Sequence, residues 1–279
     1  MNYVLITNYG NPEMLNNAIN NVKHIIDNSG YKVNIVSVSN YNNDNKNSIK
    51  HIASVGNHYF AGMEYIKSID ENGIIVFFDS DDIMYKDKFN ILNNDFNKYG
   101  AVSNYIKQNN RIIKHTLLHA INIKYFNLEF FRDFKTHGFD VMLYYYALDN
   151  NIKIHVFKKV YNEYVYNPNS ITHRNIVEYN KTALTEWEKI KGLNIFHTEK
   201  VRNLLDKRIL EVDLRLKYDT HEVLRLRDIL KYYKLINLDF RNDLFIVVKT
   251  FILLLPHKKQ IELYPLSKHR LLKRFHFKY

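Results

Sequence analysis

Three carboxylates stand within four residues at Asp79-Ser80-Asp81-Asp82, directly behind the most apolar run of the chain, Gly73-Ile74-Ile75-Val76-Phe77-Phe78. Carboxylates crowded in this way repel one another and resist removal from water. A divalent cation relieves both penalties, and an all-oxygen ligand set suits Mg2+ or Mn2+. The apolar run reads as a buried strand, and ligands generally bind beyond the strand ends of an open α/β sheet. The other reading of the tetrapeptide is an acidic turn in which Asp82 caps a helix over residues 83–92. On these four residues alone the two readings stand side by side.

The preceding chain contains elements that can hold such a turn in place. Residues 3–7 form a short β-rich apolar run. Pro12 and Glu13 then open a helical pattern with Leu15, Ala18, Ile19, Val22, Ile25 and Ile26 on one face, and Gly30 supplies its C-cap. A second strand over residues 32–38 completes a β-α-β unit, which predicts parallel pairing with a right-handed crossover. Residues 41–50 are rich in Asn and read as a loop. Residues 56–69 return to helix, with Phe60, Met63, Ile66 and Ile69 roughly aligned. Three strands separated by two helices predict an α/β sandwich. Further on, short strands are expected over residues 101–106 and 153–161, with a helix around residues 140–148.

Composition narrows the class. An apolar fraction of 46% and an aromatic fraction of 14% in 279 residues predict a folded chain with one substantial domain and an appended segment. The absence of cysteine excludes disulfides, thiolate metal sites and cysteine nucleophiles, and fits a reducing compartment. Met1-Asn2-Tyr3-Val4-Leu5-Ile6 has neither a basic flank nor a cleavage site, so no secretory signal is expected. No apolar run of about 18 residues reads as a membrane span. Charge is divided unevenly. Residues 1–173 carry 17 Lys and Arg against 16 Asp and Glu, whereas residues 174–279 carry 23 against 13. A neutral domain with a basic appendage predicts an anionic partner for the appendage, either nucleic acid or acidic lipid.

In chain order, Thr7-Asn8-Tyr9, Val38-Ser39-Asn40, Asp79-Ser80-Asp81-Asp82, Gly138-Phe139-Asp140 and Asn167-Pro168-Asn169 together resemble, over roughly residues 1–175, the family 2 glycosyltransferases of the GT-A fold. Ile6-Thr7-Asn8-Tyr9-Gly10-Asn11-Pro12-Glu13 resembles the family's opening strand and Thr-Tyr-Asn-Arg-Pro-Glu turn. Ile35-Val36-Ser37-Val38-Ser39-Asn40, with Asp44, resembles its second strand and acidic loop. Val76-Phe77-Phe78-Asp79-Ser80-Asp81-Asp82 matches the DXD metal motif. His137-Gly138-Phe139-Asp140-Val141-Met142-Leu143 resembles the Gly-Glu-Asp segment that supplies the catalytic base. Asn167-Pro168-Asn169-Ser170-Ile171-Thr172 resembles the segment that closes the domain.

The resemblance implies a GT-A-type, Rossmann-like mixed sheet flanked by helices, followed by a helical C-terminal extension. It divides the chain into a catalytic domain over residues 1–175 and a basic extension over residues 176–279. It implies Thr7, Asn8 and Tyr9 at the nucleoside, Ser39 and Asn40 at the base or ribose, Asp79 at the ribose, and Ser80 beside them. Asp81 would bind the Mn2+ or Mg2+ bridging the diphosphate. Asp140 would deprotonate an acceptor hydroxyl that attacks the anomeric carbon with inversion. Read by itself, Asp140 is equally a carboxylate that favours a helix N-terminus. The chain departs from the family pattern at Ser39, where an Asp is usual, at Phe60, where an Asn is usual, and at Phe139, which replaces a Glu. His173 and Arg174 read first as part of a solvated loop, and second as candidates for the donor phosphates.

In the extension, Leu205, Ile209, Val212 and Leu216, then Val223, Leu226, Leu230 and Tyr233, follow a heptad register interrupted at Asp219. One continuous helix over residues 205–233 would form a homodimeric coiled coil or pack on its own chain. Alternatively, Asp219 and Glu222 form a capping box that starts a new helix. Residues 244–255 are apolar and precede a basic tail containing Lys268, Arg270, Lys273, Arg274 and Lys278. At about 1.5 Å per residue this stretch is too short to span a bilayer. It reads as a core helix, or as an interfacial helix on anionic lipid. The expectation is a cytoplasmic glycosyltransferase, peripheral on the inner membrane face, taking a nucleotide-diphospho-sugar to a glycan or lipid-linked glycan. A nucleic-acid-binding protein and a metal-dependent nucleotidyltransferase are the rival classes. The first lacks a recognised nucleic-acid motif, and Gly10 alone does not make the phosphate loop of the second.

Overall fold

The computed structural model describes residues 1–9, 11–41, 49–108, 111–114, 117–132, 134, 138–165, 175–223, 231–232 and 250–255. They belong to two compact units, Met1–Ser170 and Ile171–Lys278.

The first unit is built on a mixed sheet. Its strands are β1 (Asn2–Asn8), β2 (Asn34–Ser39), β3 (Lys50–Ala53), β4 (Ile74–Asp79), β5 (Ile83–Met84), β6 (Ala101–Gln108), β7 (Arg111–Lys114), β8 (Ala120–Asn122) and β9 (Ile154–Tyr164). The sheet order is β3-β2-β1-β4-β8-β6-β9-β5, with β7 beside β6. β3, β2, β1 and β4 run parallel, whereas β8 is antiparallel to both β4 and β6. β1 is central, and Tyr3, Val4, Leu5 and Ile6 are all buried, as expected of a strand covered on both faces.

Helix α1 (Pro12–Ser29) follows β1 and forms for the reasons legible in its sequence. The Asn11 side chain accepts from the Met14 amide at 3.1 Å, Pro12 opens the first turn, and Gly30 closes it at φ 72°. Leu15, Ile19 and Val22 pack with Val4, Ile6, Val76 and Phe78 in one core cluster.

Helix α2 (His58–Ile69) is capped by Asn57, whose side chain accepts from the Phe60 amide at 3.1 Å. It presents a face rotated from the predicted one. His58, Gly62, Met63 and Ile66 are buried, whereas Ile69 is 51% exposed. Gly62 lies against β1: a Cβ there would be 2.3 Å from Leu5 Cδ1, so a larger residue would have to displace the Leu5 side chain or the helix.

β1 leads through α1 to β2 on one side, while the chain returns through α2 to β4 on the other. The topological switch point, where ligands bind in open α/β sheets, therefore lies between the C-terminal ends of β1 and β4. No α-helix covers residues 83–92. Ile83 and Met84 pair with Glu163 and Asn162 of β9, and a 3-10 turn follows at Lys88–Asn93. Asp82 therefore caps no helix. Helix α3 (Phe139–Asp149) completes the unit and is buried over most of its surface.

In the second unit, α4 (Ile176–Gly192) and α5 (Glu199–Asp219) pack together. The Arg208 guanidinium lies 5.9 Å from the centre of the buried Trp187 ring. Asp213 accepts from Lys231 Nζ at 2.7 Å and from the Tyr232 hydroxyl at 2.8 Å. α5 stops at Asp219, with Thr220 as its cap and His221 at φ 56°. Residues 205–233 therefore do not form one continuous helix. Glu222 closes α5, since its amide donates to the Lys217 carbonyl and its carboxylate accepts from Lys217 Nζ. The described end of the apolar stretch, residues 250–255, contributes Ile252 and Leu253 to a cluster with Leu210, Leu214, Tyr218 and Tyr232. No helix among the described residues is long and apolar enough to cross a membrane.

Candidate functional site

The parallel strands deliver their C-terminal residues to one place. Thr7 is in register with Asp79, and Asn8 with Ser39. The Thr7 hydroxyl donates a short hydrogen bond to Asp79 Oδ1, and the Tyr59 hydroxyl of α2 donates to the same oxygen at 2.6 Å. Asn8 ties three strand ends together. Its Nδ2 donates to Ser80 Oγ at 2.6 Å, while its Oδ1 accepts from the Tyr41 hydroxyl at 3.0 Å and the Asn11 amide at 3.2 Å. Thr7 and Asn8 are buried. They hold the acidic turn from behind rather than line a surface. Tyr9, 38% exposed, lies flat against His58 with ring centres 3.8 Å apart and planes 8° from parallel. Burial lowers the His58 imidazole to about 4, so it stacks as a neutral ring.

The turn itself is electrostatically strained. Burial first, then the nearby Asp81 and Asp140, push the Asp79 carboxyl up to about 6, against the lowering effect of the Thr7 and Tyr59 hydrogen bonds. Burial, then Asp79 and Asp81, hold Asp82 well above the usual carboxylate range. Asp82 Oδ1 is buried without a hydrogen-bond partner. The lysine nearest in charge, Lys88, is itself buried and driven down to about 7 by desolvation, with Asp82 pulling the other way. Its Nζ donates to Asn162 Oδ1 at 3.3 Å and lies 3.5 Å from His119 Nδ1. Among the described residues, no three His, Cys, Asp or Glu converge tightly enough to form a ready cation site. The donor set nevertheless fits a hard cation: it is all oxygen, self-repelling, and includes an orphaned buried carboxylate atom. Asp81 and Asp82 are the residues that would hold it.

Asp140 reaches the same site from α3. Gly138, at φ 74° before the helix, has the left-handed conformation that the turn needs and a side chain resists. Asp140 Oδ1 accepts from the Val141 amide at 2.8 Å. Its charge raises both Asp79 and Tyr59, which puts the two carboxylates of the reading within electrostatic reach.

Ser39 lies elsewhere than a ligand-reading residue would. It is fully buried, and its hydroxyl donates to the Tyr41 carbonyl at 2.8 Å. His51 of β3 bridges it to Ser37, with ring nitrogens 3.2 Å and 2.9 Å from the two hydroxyls. Asn40, the next residue, is exposed. Gly10, Asp44, His137, residues 167–172, His173 and Arg174 lie outside the described residues. His51, His58, Tyr59 and Lys88 did not emerge from the sequence. An aromatic in the first turn of the helix that returns to the Asp strand is the one signal that points to Tyr59.

No protein-family model matches the chain, and no curated protein does. Among solved structures it is similar to the mannosyltransferase PcManGT from Pyrobaculum calidifontis, in complex with GDP-Man and Mn2+. The TM-score is 0.53 at 12% identity, over 98% of this chain and 82% of that one. The two share a fold. That fold is a mixed α/β sheet flanked by helices, with a helical C-terminal part. S. aureus TarS 1-349 in complex with UDP gives a TM-score of 0.49 at 14% identity, covering 95% of this chain and 91% of that one. Against a longer S. aureus TarS structure the TM-score is 0.49 at 12% identity, over 94% of this chain, which spans 55% of that structure's length.

Proposed function

We propose that the protein is a metal-dependent, inverting glycosyltransferase that moves a sugar from a nucleoside diphosphate to a hydroxyl of a glycan or lipid-linked glycan. One observation carries the reading: at the switch point of the sheet Asp79 is pushed up by the charges of Asp81 and of Asp140 on α3, and Asp82 by those of Asp79 and Asp81. The fold shared with PcManGT, whose complex contains GDP-Man and Mn2+, supports it.

In this mechanism the outer face of Tyr9 stacks the nucleobase, and Asn40 meets the base or ribose. Asp79 offers its Oδ2 to a ribose hydroxyl, because its Oδ1 is occupied by Thr7 and Tyr59. Asp81 and Asp82 would hold a Mn2+ or Mg2+, whose charge would offset the negative charge of the departing diphosphate. Asp140 accepts the proton of the acceptor hydroxyl as its oxygen attacks the anomeric carbon. The bond from that carbon to the diphosphate oxygen breaks on the opposite face, so configuration inverts. No covalent enzyme intermediate is formed.

The test is a thermal-shift panel of nucleoside diphosphates with and without Mn2+, since ligands that bind only the native state raise its stability. Wild type is expected to be stabilised by one base, more strongly with metal. Asp81→Asn loses the metal-dependent increment and stays folded. Asp140→Asn keeps donor binding and loses about 10²–10⁴-fold of transfer. Stabilisation by DNA and by no nucleotide would overturn the reading.

A further inference from the structure

One side chain touches the supports of both the donor carboxylate and the base, and the sequence motifs do not include it. Tyr59, in the first turn of α2, donates its hydroxyl to Asp79 Oδ1 at 2.6 Å. Its ring stacks on Phe139, the residue before Asp140, with centres 5.9 Å apart and planes 13° from parallel. The same ring meets Phe77 edge-on at 5.6 Å. Phe77 lies two residues before Asp79 on β4, so it projects from the same face of the strand. Phe139 is buried and rests on the buried Phe131, with ring centres 5.4 Å apart. The ring of Tyr59 is thus held between a strand and a helix that each carry one of the acidic groups.

We propose that Tyr59 is a positioning residue that sets the donor site against the acceptor base: its hydroxyl aims Asp79, and its ring fixes the start of α3. The inference rests on the glycosyl-transfer reading above. Two donors on a single carboxylate oxygen fix the plane of the group. With Thr7 and Tyr59 both on Oδ1, rotation of Asp79 would break two hydrogen bonds at once, and Oδ2 keeps its aim. Thr7 holds Asp79 from its own neighbouring strand. Tyr59 reaches it from a helix, so this contact reports the distance between α2 and the sheet. The stack with Phe139 extends that link to α3, because Phe139 and Asp140 are consecutive residues of its first turn. A tyrosine filling core volume alone would need its ring and would have no use for a hydroxyl aimed at an acidic turn.

The hydroxyl and the ring can be removed separately. Tyr59→Phe keeps the stack and deletes the hydrogen bond. With UDP or GDP and Mn2+ it is expected to melt within a few degrees of wild type but to bind the nucleotide about tenfold more weakly. Its kcat for hydrolysis of UDP-glucose or GDP-mannose should stay within about twofold. Tyr59→Leu also removes the stack, and its kcat is expected to fall by about a further tenfold as Asp140 loses its place. If Tyr59→Leu does not fold, Phe139→Met tests the ring by removing its stacking partner at similar volume. Wild-type nucleotide affinity in Tyr59→Phe overturns the role of the hydroxyl. An unchanged kcat in Tyr59→Leu or Phe139→Met overturns the role of the ring. If wild type binds no nucleoside diphosphate with or without Mn2+, the glycosyl-transfer reading falls, and this inference with it. If wild type binds and hydrolyses the donor and every variant matches it, only the inference falls.

Discussion

Replacing Gly62 by alanine adds a single methyl group at a close helix–sheet contact of the first unit. The new Cβ would lie 2.3 Å from Leu5 Cδ1, 2.8 Å from Cδ2 and 3.1 Å from Cγ. The first two distances are shorter than packed carbon atoms tolerate and the third is tight, and Leu5 is fully buried in the central strand, so its side chain has little room to swing. Overpacking of this kind costs about 1–3 kcal/mol. Alanine returns up to about 1 kcal/mol through its higher helix propensity. With the full propensity gain the balance is a loss of up to about 2 kcal/mol, or a fall of up to about 8 °C in melting temperature for a unit of this size.

The same displacement carries Tyr59 away from Asp79, because both Gly62 and Tyr59 ride on α2. Nucleotide affinity should therefore fall together with stability. Thermal melting and urea titration measure the first, and calorimetry with UDP or GDP and Mn2+ the second. A double-mutant cycle sharpens the test. Leu5→Ala alone opens a cavity and costs about 2–5 kcal/mol. In the Leu5→Ala/Gly62→Ala double variant the new methyl occupies part of that cavity, so the combined loss should be smaller than the sum by about 1 kcal/mol or more. A Gly62→Ala variant that melts at or above the wild-type temperature, or strict additivity in the cycle, would refute the close-approach argument.

Two further outcomes are expected. The Asp79 carboxyl titrates from 3.8 unfolded to about 6 folded, so between those values the folded state keeps a proton that the unfolded state has lost. Its contribution to metal-free stability is complete below about pH 4 and is lost as pH rises through about 6, a fall on the order of 3 kcal/mol. Urea titrations across this range should show the fall in wild type relative to Asp79→Asn, and an unchanged difference between the two proteins would contradict it. The basic extension is expected to bind anionic liposomes and ignore neutral ones in co-sedimentation, with binding weakened by salt. Because Ile252 and Leu253 are already buried within the second unit, charge rather than insertion should dominate, and salt-independent pelleting would count against it.

The elements that needed only strong local patterns were legible. β1 and β4 are buried on both faces and read as unbroken apolar runs, while α1 has Pro12 at its start and Gly30 at its end. β3 escaped because Lys50-His51-Ile52-Ala53 is polar and forms an edge strand with no apolar run to mark it. The face of α2 was misread because Gly62 contributes contact without a hydrophobic side chain, and an apolar count cannot detect close approach. Residues 83–92 lack a strong strand pattern, and Ile83 and Met84 become a strand through pairing with β9, more than 70 residues away. Motif order singles out Asp79, Asp81 and Asp140 as candidates, and the charges of Asp81 and Asp140 both act on Asp79. That Thr7, Asn8 and Ser39 are buried behind the site depends on tertiary contacts with Asp79, Ser80 and His51, which no local window contains.

Asn8 also constrains how this site can diverge. One amide donates to the β4 turn and accepts from residues flanking β1 and β2, a division of labour that needs both an N–H and a carbonyl on a short side chain. Aspartate would lose the donor and add a fourth carboxylate to the β1–β4 rim, while glutamine would be too long for all three partners. Tyr41 and Ser80 can change only in ways that still answer the same amide. The segments that meet at Asn8 are consequently not independent modules. A graft that swaps one of them must bring the others with it, and position 8 marks where the graft must stop.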